Sequence, residues 1–234
     1  RIGTASVGGT YYIFGGGVAG ILEDELEVSS NVEVTGGPNH NIQLIENGDL
    51  ELGFVTMGPA WDAWHGEGDW TNGVVHEEFR VLYPMYTTYF HFWAPEDSGI
   101  ETIYDLEGHD VGLGPQGGTP GTYLPLFLEI LDIEVNDFYA VIGDLNSQML
   151  DGVLDAVGFA AGVPFAAATE AEAQEDLNFI GFSEEDLETI VAEYPYLTAA
   201  EVPAGTYPTQ EEDMLSAGIW NMATGHKDLS PSFV

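Results

Sequence analysis

The chain has 234 residues, 44% of them hydrophobic, and sets forty Asp and Glu against only Arg1, Arg80 and Lys227, a formal net charge of −37. That balance excludes nucleic-acid binding, because neutralising phosphates takes Lys and Arg in number. The lack of cysteine removes disulfides, thiol nucleophiles and Cys-ligated zinc.

A charge of this size makes a folded protein repel itself in dilute buffer, whereas molar salt cuts the screening length to about 3 Å. The composition therefore reads as adaptation to a very salty solvent. The acids are dispersed rather than blocked, unlike those of a polyanion mimic. Five tryptophans and the apolar fraction are enough for a real core, so the acidity is no sign of disorder. No apolar run approaches the length of a membrane span, and the first residues read as a strand rather than a signal peptide.

In chain order, Ile2 opens a strand that runs through Thr4-Ala-Ser-Val-Gly8-Gly9 into a helix with Val18, Ile21, Leu22 and Leu26 on one face. Val32–Thr35 is a strand, and Pro38 opens a helix that closes at Asn47-Gly48. Leu50, Leu52 and Phe54 alternate as a strand, followed by Thr56-Met57-Gly58-Pro59 and a short helix holding Trp61 and Trp64. Phe79–Trp93 is an aromatic, β-prone stretch long enough to cross between lobes.

Ile103–Gly108 is one helical turn. The Val111 strand then enters a second glycine turn, Gly114-Pro-Gln116-Gly117-Gly118-Thr119, and a helix with Leu124, Phe127, Leu128 and Leu131 on one face and Pro125 inside it. Val135–Ile142 reads as a strand, Asp144 as the cap of a helix ending at Gly152, and Leu154–Phe159 as another strand. Ala160–Pro164 is a turn before an alanine-rich helix. Ser183 and Asp186 form a capping box with Asp in place of Glu. Leu197–Val202 and Met214–Met222 are strands that return to the first lobe. Ser230-Pro231 reads as an N-cap with proline in the first helical position, close to Val234, so the natural protein is expected to continue at both ends.

Strands alternating with helices imply an α/β architecture with largely parallel sheets. Glycines in the two turns let the backbone approach a ligand closely, and the helix beyond each points unpaired N–H groups at it. Such a terminus attracts anions. Two of them in one chain point to a binding site for a small anion.

The order of motifs resembles the TAXI-type solute receptors of TRAP transporters, a branch of the class II periplasmic binding proteins. The resemblance runs through Thr4–Tyr12, Gly48–Val55, Leu82–Tyr86, Asp97–Ile100 with Asp105–Gly108, Gly114–Thr119, Asp151–Ala156, Gly162–Pro164 and Val202–Pro208. Two positions depart from the family pattern. Met57-Gly58 stands where a polar pair is usual, and Gly117-Gly-Thr-Pro120 where Gly-Ser-Gly-Thr is usual.

The resemblance implies a two-lobed, type II periplasmic-binding-protein-like fold with a hinge, lobe I being 1–88 plus 200–234 and lobe II 89–199. It implies an extracytoplasmic receptor, secreted or anchored through an N-terminal segment outside this sequence. That receptor would close on a small organic anion, an amino acid or dicarboxylate, and hand it to a TRAP permease. The expected ligand contacts are Gly8, Gly9, Thr10 and Tyr11; Thr56, Met57 and Gly58; Gln116, Gly117, Gly118 and Thr119; and Ala161 and Gly162. No cofactor, metal or catalytic residue is expected. The alternatives are a receptor for an ATP-driven importer, or an enzyme on the same kind of fold.

Several features have plainer readings. Gly15-Gly16-Gly17 costs a helix roughly 1 kcal/mol per glycine against alanine, which a close crossing of backbones would explain. Arg80 reads as the partner of an acid rather than of a ligand. Ser6, in Thr4-Ala-Ser-Val-Gly8, lacks the first glycine of a nucleophile elbow. The six histidines show no metal-ligand spacing. The aromatic cluster Tyr83, Tyr86, Tyr89, Phe90, Phe92 and Trp93 reads as core, with one or two tyrosines lining the cleft.

Overall fold

A computed structural model of the chain describes residues 1–230; the proline-led helix expected from Pro231 onward lies outside the described residues. The chain divides into two compact units. The first is Arg1–Tyr86 together with the chain from Trp220 onward, and the second is Thr87–Ile219. The segment 200–219, expected in the first lobe, therefore packs in the second unit.

The first unit is built on β1 (Ile2–Gly3), α1 (Thr10–Leu26), β2 (Val32–Glu33), α2 (Pro38–Glu46), β3 (Leu52–Thr56) and α3 (Met57–His65). Its strand order is β2-β1-β3, all parallel, with the last strand of the chain, β10 (Met214–His226), added antiparallel on β3. Every residue of β3 is buried, so the alternation of Leu50, Leu52 and Phe54 reports only one of its two covered faces. Asn41 on α2 ties the layers together. Its Nδ2 donates to the carbonyls of Gly3, Thr4 and Phe54, at 3.3, 2.8 and 2.8 Å.

The buried positions of α1 are Tyr11, Gly15 and Ala19, spaced four apart as one helix face requires. Val18 and Leu22 flank that stripe, whereas Ile21 and Leu26, expected on it, are exposed. Only Gly15 of the glycine run is sterically required. A Cβ there would stand 2.6 Å from the Thr4 methyl, while Gly16 and Gly17 face open space. A neighbouring side chain, not a second backbone, sets that requirement.

The second unit receives β4 (Phe79–Pro95) from the first and adds β5 (Asp110–Gly112), α4 (Thr119–Ile130), β6 (Asn136–Phe138), α5 (Ile142–Leu150) and β7 (Ala156–Ala161). It continues with α6 (Ala166–Glu172), β8 (Leu177–Ile180), α7 (Glu184–Glu193) and β9 (Leu197–Val202). β6, β5 and β7 are parallel in that order; β4 runs antiparallel to β7 and β8, and β9 antiparallel to the first half of β10. The expectation of largely parallel sheets thus holds for the triplets β2-β1-β3 and β6-β5-β7 and fails for β4, β8, β9 and β10, whose pairing is antiparallel.

Three boundaries also shift. β6 has three exposed residues where a strand over Val135–Ile142 was expected. α5 is capped by Val141, leaving Asp144 in its first turn. β7 runs on to Ala161, so the following turn starts at Gly162. The Ser183–Asp186 capping box is formed in both directions, at 3.1 and 2.8 Å. Trp93, Leu145, Met149, Val157 and Phe165 lie at the centre of this unit's core. No helix among the described residues is long and apolar enough to cross a membrane.

Candidate functional site

Each unit repeats one topology. From β1 the chain goes to β2 on one side and then back across to β3 on the other; from β5 it goes to β6 and then across to β7. Where strand order reverses in this way, loops leaving the carboxyl ends of the two central strands part and open a crevice. In the first unit those loops are 4–9 and the turn at Thr56–Gly58. In the second they are 113–118 and the turn at Gly162. The four expected ligand-contact segments therefore fall, two per unit, at the two reversal points.

In the first unit, Gly8 has a positive φ of 83°, and Gly9 caps α1 with its N–H donating to the Ser6 carbonyl at 3.0 Å. The N–H of Tyr12 turns back to the Gly9 carbonyl. The N–H groups of Thr10 and Tyr11, the first two in the helix, have no carbonyl behind them to take up. Ser6 is buried, and its carbonyl is what the turn uses.

Tyr11 is buried, and its hydroxyl donates to Oδ1 of Asn221 at 2.6 Å. The Thr56 side chain hydrogen-bonds the same phenol. Asn221, opposite Thr56 in the β10–β3 register, donates in turn from Nδ2 to the Tyr86 carbonyl at 2.7 Å. Thr10 approaches the Tyr86 hydroxyl, which is itself buried without a well-formed hydrogen bond. Burial pushes the pKa of both phenols up, so both stay neutral donors. Met57 opens α3 half-buried, and Gly58 is buried behind it. The residues 10, 11 and 56 are thus brought together, and Tyr86 and Asn221 join them.

In the second unit, Gly114 has a positive φ of 74°, and Gly118 caps α4 with its N–H on the Pro115 carbonyl at 2.9 Å. Gln116 and Gly117 are exposed at the tip of the turn, while Gly118 and Thr119 are buried. Pro120 removes one N–H from the first turn of α4, so this mouth offers fewer donors than that of α1. Ala161 and Gly162 are buried at the end of β7. Behind them Tyr207 ties the turn down: its hydroxyl accepts the Phe165 N–H at 3.1 Å and lies 3.0 Å from His91 Nε2.

None of the three basic side chains belongs to either set. Arg1 is engaged by Glu51, which it holds down to a pKa of about 2. Lys227 is on Glu78 at 2.6 Å. Arg80 donates to the carbonyls of Glu77 and Phe79 and lies over the Trp64 ring, 5.6 Å from its centroid; it was expected to pair with an acid. A ligand anion at these turns would be met by N–H groups, hydroxyls and helix termini.

Glu78, His226 and Asp228 converge closely enough to hold a metal ion. However, the Lys227 ammonium already occupies Glu78, and His226 Nδ1 accepts the Asp228 N–H at 3.2 Å. A groove of about 1160 Å³ on the second unit is lined by residues of 96–104, 176–186 and 208–215. A second, of about 360 Å³, lies under α4 between Leu113 and Asp137. Neither contains an expected contact residue, and the larger one is lined by acids with no basic group to hold an anion.

Of the aromatic cluster, Phe90, Phe92 and Trp93 are core, Tyr83 is exposed, and Tyr86 and Tyr89 are half-buried. Asn221 was not singled out from sequence. The signal for it was an amide inside the apolar run Ile219–Ala223, since a buried amide needs partners.

This is an α/β protein of the type II periplasmic-binding-protein-like fold. The chain belongs to the NMT1-like family, which it matches over residues 2–234. It is similar in structure to a periplasmic transporter, with a TM-score of 0.62 and 12% identity over 100% of this chain and 79% of that one. The arginine-bound, truncated ArgBP of T. maritima aligns with a TM-score of 0.58 at 13% identity, covering 97% of this chain and 88% of its own. The regulatory domain of Synechocystis PCC6803 CcmR, in complex with 2-PG, aligns with a TM-score of 0.58 at 11% identity over 100% and 90%. At such identities the likeness speaks for the fold.

Proposed function

We propose that this chain is the extracytoplasmic solute receptor of a TRAP transporter of the TAXI type, taking a small organic anion such as an amino acid or dicarboxylate. The observation that carries the reading is the repeated strand reversal, with a glycine-capped helix mouth in each unit at the end of its central strand. Binding, not chemistry, is the role, and the contacts come from Gly8–Tyr11, Thr56–Gly58, Gln116–Thr119 and Ala161–Gly162. The solvent is salt-rich, which the net charge of −37 supports. The family likeness and the ligand-holding neighbours of the same fold support the receptor class; the motif order supports the transporter type.

The test is native mass spectrometry of the protein purified in molar salt, followed by calorimetry with L-glutamate, L-arginine, succinate and 2-oxoglutarate. A co-purifying acid and saturable binding of at least one probe acid are expected. Failure of every acid to bind, with the protein folded, would overturn the reading.

A further inference from the structure

The Tyr86 hydroxyl is the unexplained polar atom of the first unit's mouth. It is buried without a well-formed partner, a condition that costs roughly as much as a lost hydrogen bond. Its ring is held from two sides. The ring centroid lies 5.7 Å from that of Phe14 and 6.5 Å from that of Tyr11, both edge-to-face. Its backbone carbonyl is pinned by Asn221 Nδ2 at 2.7 Å. The phenol is therefore fixed in place without being satisfied.

A count of protons shows what is left over. Tyr11 spends its own on Asn221. Thr10 comes near the Tyr86 oxygen without making a well-formed bond, so the Tyr86 O–H has no acceptor in hydrogen-bonding geometry. In the first turn of α1, which carries the Thr10 side chain, the N–H groups of Thr10 and Tyr11 have no carbonyl behind them. The fold supplies donors here and keeps every basic side chain elsewhere.

Resting on the receptor reading above, we infer that Tyr86 is a specificity-determining residue whose phenolic O–H donates to a carboxylate oxygen of the ligand, with Thr10 as its companion. Asn221 is a positioning residue, acting through the backbone of Tyr86.

The test compares wild type, Tyr86→Phe and Tyr83→Phe in molar KCl, titrating L-glutamate, L-arginine, succinate and 2-oxoglutarate by calorimetry and following thermal melting without ligand. The phenylalanine keeps the edge-to-face packing and removes only the unpaired hydroxyl. Tyr86→Phe is expected to melt at or above the wild-type temperature while weakening the acid that wild type binds by about tenfold or more. Tyr83→Phe, on the exposed part of the same strand, is expected to bind as wild type does. Unchanged affinity in Tyr86→Phe, or a lowered melting temperature accompanying its weaker binding, overturns the assignment to Tyr86 while leaving the receptor reading standing. Failure of wild type to bind any of the four acids overturns both.

Discussion

The hydroxyl of Tyr207 lies 3.0 Å from Nε2 of His91, across 116 positions of sequence, and both side chains are buried. Because the Phe165 N–H already donates to that oxygen at 3.1 Å, the Tyr207 proton goes to His91. This assigns Nε2 as the acceptor and places the ring proton on Nδ1, which is buried near the Tyr89 backbone without a well-formed hydrogen bond. The pair ties the segment just past the Gly162 turn to β4 from beneath.

Replacing Tyr207 by Phe removes both bonds and leaves His91 Nε2 and the Phe165 N–H unpaired. A loss of about 1–3 kcal/mol in unfolding free energy is expected, measured by denaturant titration at high salt. No change in stability would show that the pair contributes nothing.

The same pair makes stability depend on pH. Burial holds His91 down to a pKa of about 4, below its ordinary 6.5. The unfolded chain therefore binds a proton there first, so stability is full above pH 6.5 and is lost as pH falls toward 4. The His91 contribution across that window is about 3 kcal/mol. His91→Gln should flatten this part of the stability–pH curve; an equally steep curve in the variant would contradict the assignment.

The glycines of α1 separate by position. Gly16→Ala and Gly17→Ala fill open space on a helix and should each stabilise by roughly 0.5–1 kcal/mol. Gly15→Ala should destabilise, because Thr4 cannot turn away without giving up its 2.8 Å bond to the Glu33 carbonyl. Melting of the three variants under identical salt checks the order. A uniform response would be inconsistent with this packing.

With a net charge of −37, the folded state should lose cooperativity as salt falls from molar toward about 0.1 M, where the screening length grows to about 10 Å. Circular dichroism against salt concentration, with return to molar salt, reads this directly. Full cooperative unfolding at the low end would refute the salt-adaptation reading.

What was legible in the sequence was local. The glycine turns ahead of α1 and α4, the Ser183–Asp186 box and the α2 start at Pro38 are each specified by a few adjacent residues. β8 escaped notice because Leu177–Ile180 is only four residues long, between Asp176 and Gly181. β6 was overextended because Val135, Phe138 and Val141 look like a strand, although the chain pairs at only three residues there. The turns at the two strand reversals were legible. The side chains behind them were not, because Tyr11 with Asn221 and His91 with Tyr207 meet across 210 and 116 positions.

The most direct measurement is the structure of the protein crystallised from molar salt with its co-purifying acid. A carboxylate within hydrogen-bonding distance of the Thr10 or Tyr11 N–H, or of the 117–119 turn, with no basic side chain in contact, is the predicted result. An acid seated on Arg1, Arg80 or Lys227, or lying in the groove between Glu96 and Leu215, would contradict it.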